Sequence, residues 1–202
     1  MTASAKRNSI VSPLLRLPGE IRTKIWKYTL GYHQIDIGHY SLKRSWPIGR
    51  TLDVRPLRPA GHFPSTLVHP HFTLPKVCRQ VYVESSAFIY TLNTFRFNNC
   101  TALDQWVKSL APGQRRLVAS VDVPCDYMHK YRHGLRKSFC AKFENIERIG
   151  VDEHVAVYGK RPGDDKGLGP AKKREVEFIL AKEGKSFRIE WHEGALGSVV
   201  HC

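Results

Sequence analysis

The feature that most constrains this chain is a rhythm of short alternating segments separated by helical ones. Thr94-Phe95-Arg96-Phe97 places both Phe side chains on one side and Arg96 on the other, as a half-buried strand does. Leu117, Ala119, Val121 and Val123 alternate in the same way, and Ile149 and Val151 mark a third such segment. Phe97, Val123 and Val151 are spaced by 26 and then 28 residues. Between the first two, Leu103, Trp106, Val107 and Leu110 recur at helical spacing. Thr101 is the expected N-cap of that helix, with Asp104 three residues on, and Pro112-Gly113 its expected stop. A further helix is expected between Asp126 and Ala141, with Met128, Tyr131, Leu135 and Phe139 as its apolar side. Strand–helix–strand units favour parallel strands and right-handed connections. The spacing falls in the leucine-rich-repeat range, but the Leu and Asn ladder of those repeats is missing. The expected fold class is therefore α/β, with α+β as the neighbouring alternative: a small sheet flanked by helices.

The N-terminal half adds helices of a different kind. Pro18 suits the start of a helix, where its missing N–H has no partner to lose. Leu17, Ile21, Ile25 and Tyr28 or Thr29 then share one face, while Glu20 and Lys24 form a favourable i, i+4 pair. Gly31 is the expected left-handed stop. A second helix is expected from Pro75 to Leu92, with Val77, Val81, Phe88 and Leu92 on one face and Cys78 and Ile89 beside it. Between the two, Gln34-Ile35-Asp36-Ile37 alternates like a short strand. Pro47, Pro56, Pro59, Pro64 and Pro70, with Gly49 and Gly61, then imply a surface excursion with edge strands. Residues 1–13 are expected to be a flexible N-terminus and 14–202 a single domain, with 32–75 as an insertion. A loop over 159–170, a helix near Lys172–Glu183 and a strand at Ser186–Trp191 follow. Phe187, Ile189 and Trp191 lie on one side of that strand.

With 42% hydrophobic residues the chain can bury a core, and no apolar run approaches the ~20 residues that span a bilayer. Met1–Pro13 lacks the apolar core of a secretory signal. Five dispersed cysteines without a Cys-x-x-Cys argue for a reducing compartment, so an intracellular setting, nucleus or cytoplasm, is expected. The net charge of +14 is uneven. Residues 1–100 carry 14 basic and 4 acidic residues, and residues 101–202 carry 18 and 14. A basic first half can attract nucleic acid or an acidic protein surface. No stacking platform of the RNA-binding kind is visible among its scattered Arg and Lys.

Three segments carry a resemblance. Leu17-Pro18-Gly19-Glu20-Ile21-Arg22-Thr23-Lys24-Ile25-Trp26 resembles the opening helix of F-box domains. Cys78-Arg79-Gln80-Val81-Tyr82-Val83-Glu84 and Ile89-Tyr90-Thr91-Leu92-Asn93-Thr94-Phe95 complete a pattern similar to a large fungal family of F-box-like proteins, whose two motif blocks are split by a variable loop. Ile89 stands where that family has Leu. The paired Glu-x-Arg of a related fungal variant is met only by Glu20-Ile21-Arg22, since Gln80-Val81-Tyr82 stands at the second place. The resemblance implies a protein–protein module in which the Leu-Pro helix docks on the Skp adaptor of cullin-type ubiquitin ligases. It implies an adaptor face of Leu17, Pro18, Ile21, Ile25, Val77 and Cys78, with substrate selection by the C-terminal region.

Chemistry elsewhere is sparse. Cys125, His129, His133 and Cys140 are a ligand set that zinc accepts, with the two His at i, i+4 on a helix, but the usual paired Cys element is missing. There is no Gly-x-Ser-x-Gly, His-Glu-x-x-His or P-loop, and Asp164-Asp165 reads as a solvated pair. The expected protein is a non-enzymatic interaction module without a cofactor, with a basic nucleic-acid-associated protein as the alternative. Exposure of Leu17, Ile21 and Ile25 favours the first; convergence of the Lys and Arg of residues 1–100 on one surface favours the second.

Overall fold

A computed structural model describes residues 12–40, 49–56, 72–124, 127, 138–152, 170–183 and 186–192. The fold is α/β: helices on a six-stranded, mostly parallel sheet of order β2-β1-β3-β4-β5-β6. The strands are β1 His33–Tyr40, β2 Gly49–Pro56, β3 Thr94–Phe97, β4 Ser120–Asp122, β5 Arg148–Asp152 and β6 Arg188–His192. The helices are α1 Gly19–Leu30, α2 Arg79–Ser85, α3 Phe88–Thr91, α4 Cys100–Ser109, α5 Pro112–Leu117, α6 Phe139–Lys142 and α7 Pro170–Ala181.

Parallel pairing sets Phe95 beside Val121, Val121 beside Ile149, and Ile149 beside Ile189. The first two steps are 26 and 28 residues, the spacing of the strand rhythm itself. Because alternate residues face opposite sides, this register gives the sheet one apolar face. Leu103 and Val107 of α4, with Phe143, Val176 and Leu180, are buried in the same core as Val121, Ile149 and Val151. Trp106 fills the gap between rings, its centroid 4.5 Å from Phe95 and 5.2 Å from Phe97.

Several local expectations are corrected. Asn99, not Thr101, caps α4: its side-chain oxygen accepts from the Ala102 N–H at 2.8 Å. Asp104 instead pairs with Lys142 at 2.9 Å. Pro112 opens α5 rather than only ending α4, so Leu117 lies on a helix and β4 is the short run Ser120–Asp122. The expected 75–92 helix is a 3-10 turn at Leu74–Lys76 followed by α2 and α3, because Cys78 is extended (φ −158°, ψ 165°). In the 32–75 segment the strand expected at Gln34–Ile37 is β1 and the expected edge strand is β2; the difference is that β1 lies inside the sheet. Antiparallel β1–β2 pairing sets Ile35 opposite Val54, both buried, and parallel β1–β3 pairing puts β1 inside the sheet. β2, ending in Pro56, takes the edge, where a missing N–H costs least.

Gly31 is not left-handed (φ −107°); the positive φ of 63° falls on Tyr32. Gly31 is needed for space instead, since a Cβ there would lie 2.8 Å from Leu92 Cβ and from the Lys27 carbonyl oxygen. The expectations for residues 1–11, for most of 126–137 and for the 159–169 loop lie outside the described residues. No described helix is long and apolar enough to cross a membrane.

Candidate interaction surface

Helix α1 has two stripes that do different things. Arg22, Trp26 and Leu30, at i, i+4 and i+8, face inward. Trp26 and Leu30 are buried. Arg22 Nε donates to Glu84 Oε2 at 2.9 Å and Nη2 to Oε1 at 2.8 Å, a bidentate pair. Trp26 Nε1 donates to Glu84 Oε2 at 3.1 Å, and Gln80 Nε2 to Oε1 at 3.1 Å. The hydrogen bonds from Arg22, ahead of those from Gln80 and Trp26, hold the Glu84 carboxyl down to about 2, against the opposing effect of burial. Arg22 Nη1 also donates to the carbonyls of Leu15, at 3.2 Å, and Leu17. The apolar part of this junction is a cluster of Leu15, Trp26 and Val81, bordered by Ile25, Cys78, Leu74 and Phe88.

Asn93 ties this helical pair to the sheet. Its Nδ2 donates to the carbonyls of Leu30 (2.6 Å) and Ile89 (2.9 Å), and its Oδ1 accepts from the His33 N–H at 2.8 Å. The His33 ring edge meets Phe72, and its Nδ1 is buried without a hydrogen-bond partner among the described residues. Burial therefore lowers the His33 pKa, outweighing the nearby Asn93 and Leu30 carbonyl oxygens.

The other stripe of α1 faces outward. Ile21 is 43% exposed and Tyr28 77%, at i and i+7, with exposed Lys24 between them. Tyr28 is joined by Tyr32, ring centroids 6.2 Å apart. Of the six residues named from the sequence, Ile21, Pro18 and Val77 are exposed, Val77 to 72%. Leu17, Ile25 and Cys78 are half-buried, and Ile25 and Cys78 border the same cluster. Val77 does not share the Val81 face: the extended Cys78 between them breaks the helical phase. The sequence reading missed Tyr32, Tyr82 and Val83, all exposed. Arg79, Tyr82 and Val83 stand at i, i+3 and i+4, a spacing that was there to be read.

The other face of the sheet is polar and largely buried. In register across the strands run Gln34, Thr94, Ser120, Arg148 and Arg188, and beside them Asp36, Arg96, Asp122, Gly150 and Glu190. Parallel sheets ordinarily bury both faces under apolar side chains; this one carries polar groups across five strands. Arg148 Nη1 donates to Asp122 Oδ1 at 2.8 Å and Ser120 Oγ at 3.0 Å, and Nε to Glu190 Oε2. Burial works against the Arg148 charge, but Asp122 and then Glu190 outweigh it, so its pKa is raised.

Of the candidate zinc ligands, Cys125, His129 and His133 lie outside the described residues. Cys140 is buried in α6, where its N–H donates to Glu183 Oε2 at 3.0 Å. No protein-family model, curated protein or solved structure matches the chain.

Proposed function

We propose that the chain is a non-enzymatic protein–protein interaction module, an F-box-like receptor whose first helix docks a Skp-type adaptor of a cullin-type ubiquitin ligase. One observation carries the reading: α1 holds its own domain through Arg22, Trp26 and Leu30, leaving the Ile21–Tyr28 stripe facing solvent. A helix that needed only one apolar face would keep the opposite face polar. Isolated apolar side chains on a surface are ordinary, but Ile21, Tyr28 and Tyr32 are three on one helix face and its C-terminal turn. Val77 and Cys78 follow in the second motif block, and Cys78 reaches the same cluster as Ile25.

The experiment is co-expression with a fungal Skp-type adaptor and its cullin. Co-purification with the wild type but not with Ile21→Asp supports the reading. Absence of the adaptor from the wild-type preparation, or equal recovery with both, rules it out.

A further inference from the structure

We infer that β6, at the opposite edge of the sheet from β2, pairs antiparallel with β6 of a second copy of this chain about a two-fold axis at Ile189. This goes beyond the reading above and does not depend on it. Among the described residues β6 has a neighbour, β5, on one side only. Such an edge presents a row of backbone donors and acceptors that another strand can take. The side chains also stop short of a closed core. Ile149 and Val151 of β5 are buried, but their register partners Ile189 and Trp191 on β6 are only half-buried, as is Phe187 just before them. All three pack against the main core, and a strand added beyond β6 covers what is left of them.

Backbone direction and charge together select the second strand. The Arg188 N–H donates to the Glu147 carbonyl at 2.8 Å, so Arg188 and Glu190 turn their backbone groups towards β5. Phe187, Ile189 and Trp191, one residue out of step, turn theirs to the open edge. An antiparallel pair centred on Ile189 therefore has its hydrogen-bonded positions at Ile189 and at Phe187 with Trp191. Ile189 meets its own counterpart, and Phe187 meets Trp191 of the second copy, all on the apolar face. Arg188 meets Glu190 of the second copy at the non-hydrogen-bonded position, where side chains approach closest. Moving the axis by one residue sets Arg188 on Arg188 or Glu190 on Glu190, like charge on like. Arg188 is free to take part: its side chain is 71% exposed and lies 2.8 Å from Glu190 of its own strand, so the paired strands gather two Arg and two Glu. A second copy matches this order by symmetry, since a two-fold interface joins the same patch to itself.

The test is sedimentation velocity of the full chain at rising concentration, together with cysteine cross-linking. The wild type is expected to pass from monomer to dimer. Ile189→Pro removes the outward N–H and no bond to β5, a place where an edge strand tolerates proline, and should stay monomeric. Arg188→Glu sets like charges opposite each other and should weaken the dimer about tenfold. Under mild oxidation Ile189→Cys should form a disulfide between copies, because Cα atoms about 5.5 Å apart are within disulfide reach. Arg188→Cys, two residues out of line with its counterpart, should not. Mass spectrometry assigns the disulfides, and thermal melts check that each variant folds. If Ile189→Pro fails to fold, Arg188→Glu and the cross-link decide. A wild type that stays monomeric at every concentration, a dimer of unchanged strength in the folded variants, or cross-linking by Arg188→Cys but not by Ile189→Cys overturns the inference.

Discussion

Glu84 accepts both ends of the Arg22 guanidinium across 62 residues of chain, at 2.9 Å and 2.8 Å. Both residues belong to the motif blocks that the 32–75 segment separates. The pair closes the helical unit over that segment, while Trp26 and Gln80 occupy the remaining acceptor sites of the same carboxylate. The conspicuous motif residues Arg22, Trp26, Gln80 and Glu84 thus serve the fold, and Ile21, Tyr28 and Val77 are left exposed.

Replacing Glu84 with Gln removes the charge and one of the two acceptor oxygens, leaving Arg22 half-buried and underpaired. The expected loss of stability is on the order of 2 kcal/mol, since a hydrogen bond to a charged group contributes about 1.5–3 and partial exposure screens this one. The pH dependence has a definite sign. The folded pKa of Glu84 is about 2 against an ordinary 4.5, so its contribution is complete above pH 4.5 and is lost as pH falls towards 2. Urea unfolding across that range should show a steeper acid loss in the wild type than in Glu84→Gln. Parallel curves would mean that the pair does not hold the helices together.

Gly31→Ala should destabilise the protein by about 1–3 kcal/mol through overpacking, because the new Cβ has no room between Leu92 and the Lys27 carbonyl. Leu92→Gly on its own should also destabilise, but combined with Gly31→Ala the cost should be less than the sum, because it removes the Leu92 Cβ and Cδ1 that the new methyl would meet. Strict additivity in thermal melts would count against close approach as the reason for this glycine.

Tyr32 occupies a left-handed conformation that a bulky residue rarely adopts, at roughly 1 kcal/mol of strain. Tyr32→Asn is expected to raise the melting temperature slightly while weakening partner binding, because Asn tolerates this backbone and removes the ring that meets Tyr28. A variant that melts lower and binds as before would remove Tyr32 from the interaction face.

Arg148→Met should cost about 3 kcal/mol or more, because it strands the buried Asp122 carboxylate. The double variant Arg148→Met with Asp122→Leu should recover much of that loss, since apolar replacement of a buried pair is often neutral. A double variant no more stable than the single one would show that the sheet face needs its charges for folding.

The sheet was legible in the sequence where pairing is local in pattern. Phe95, Val121 and Ile149 alternate with polar neighbours, and the helices between them fix the step, so the observed register repeats the spacing read from the chain. β1 was legible as a strand, but its interior place was not. Its parallel partner β3 lies about 60 residues on, and prolines and glycines report turns rather than partners. The 75–92 stretch kept helical spacing across the break at Cys78, because periodicity does not see a single extended residue, and Ser86-Ala87 between α2 and α3 keep helical backbone angles. On α1 the apolar stripe was found, but which stripe packs inward depends on Arg22 meeting Glu84. Two charged residues that far apart carry no periodic signal.

The central claim is that the Ile21–Tyr28 stripe is a docking face distinct from the stripe that holds the fold. Titration calorimetry of a purified Skp-type adaptor into the wild type, Ile21→Asp with Tyr28→Asp, and Phe178→Asp tests it most directly. Phe178 is an exposed apolar residue on α7 and serves as the control. The account predicts binding by the wild type and Phe178→Asp alike, with at least about tenfold weaker binding by the double variant at an unchanged melting temperature. No heat of binding for the wild type, or equal affinities for all three, would contradict it.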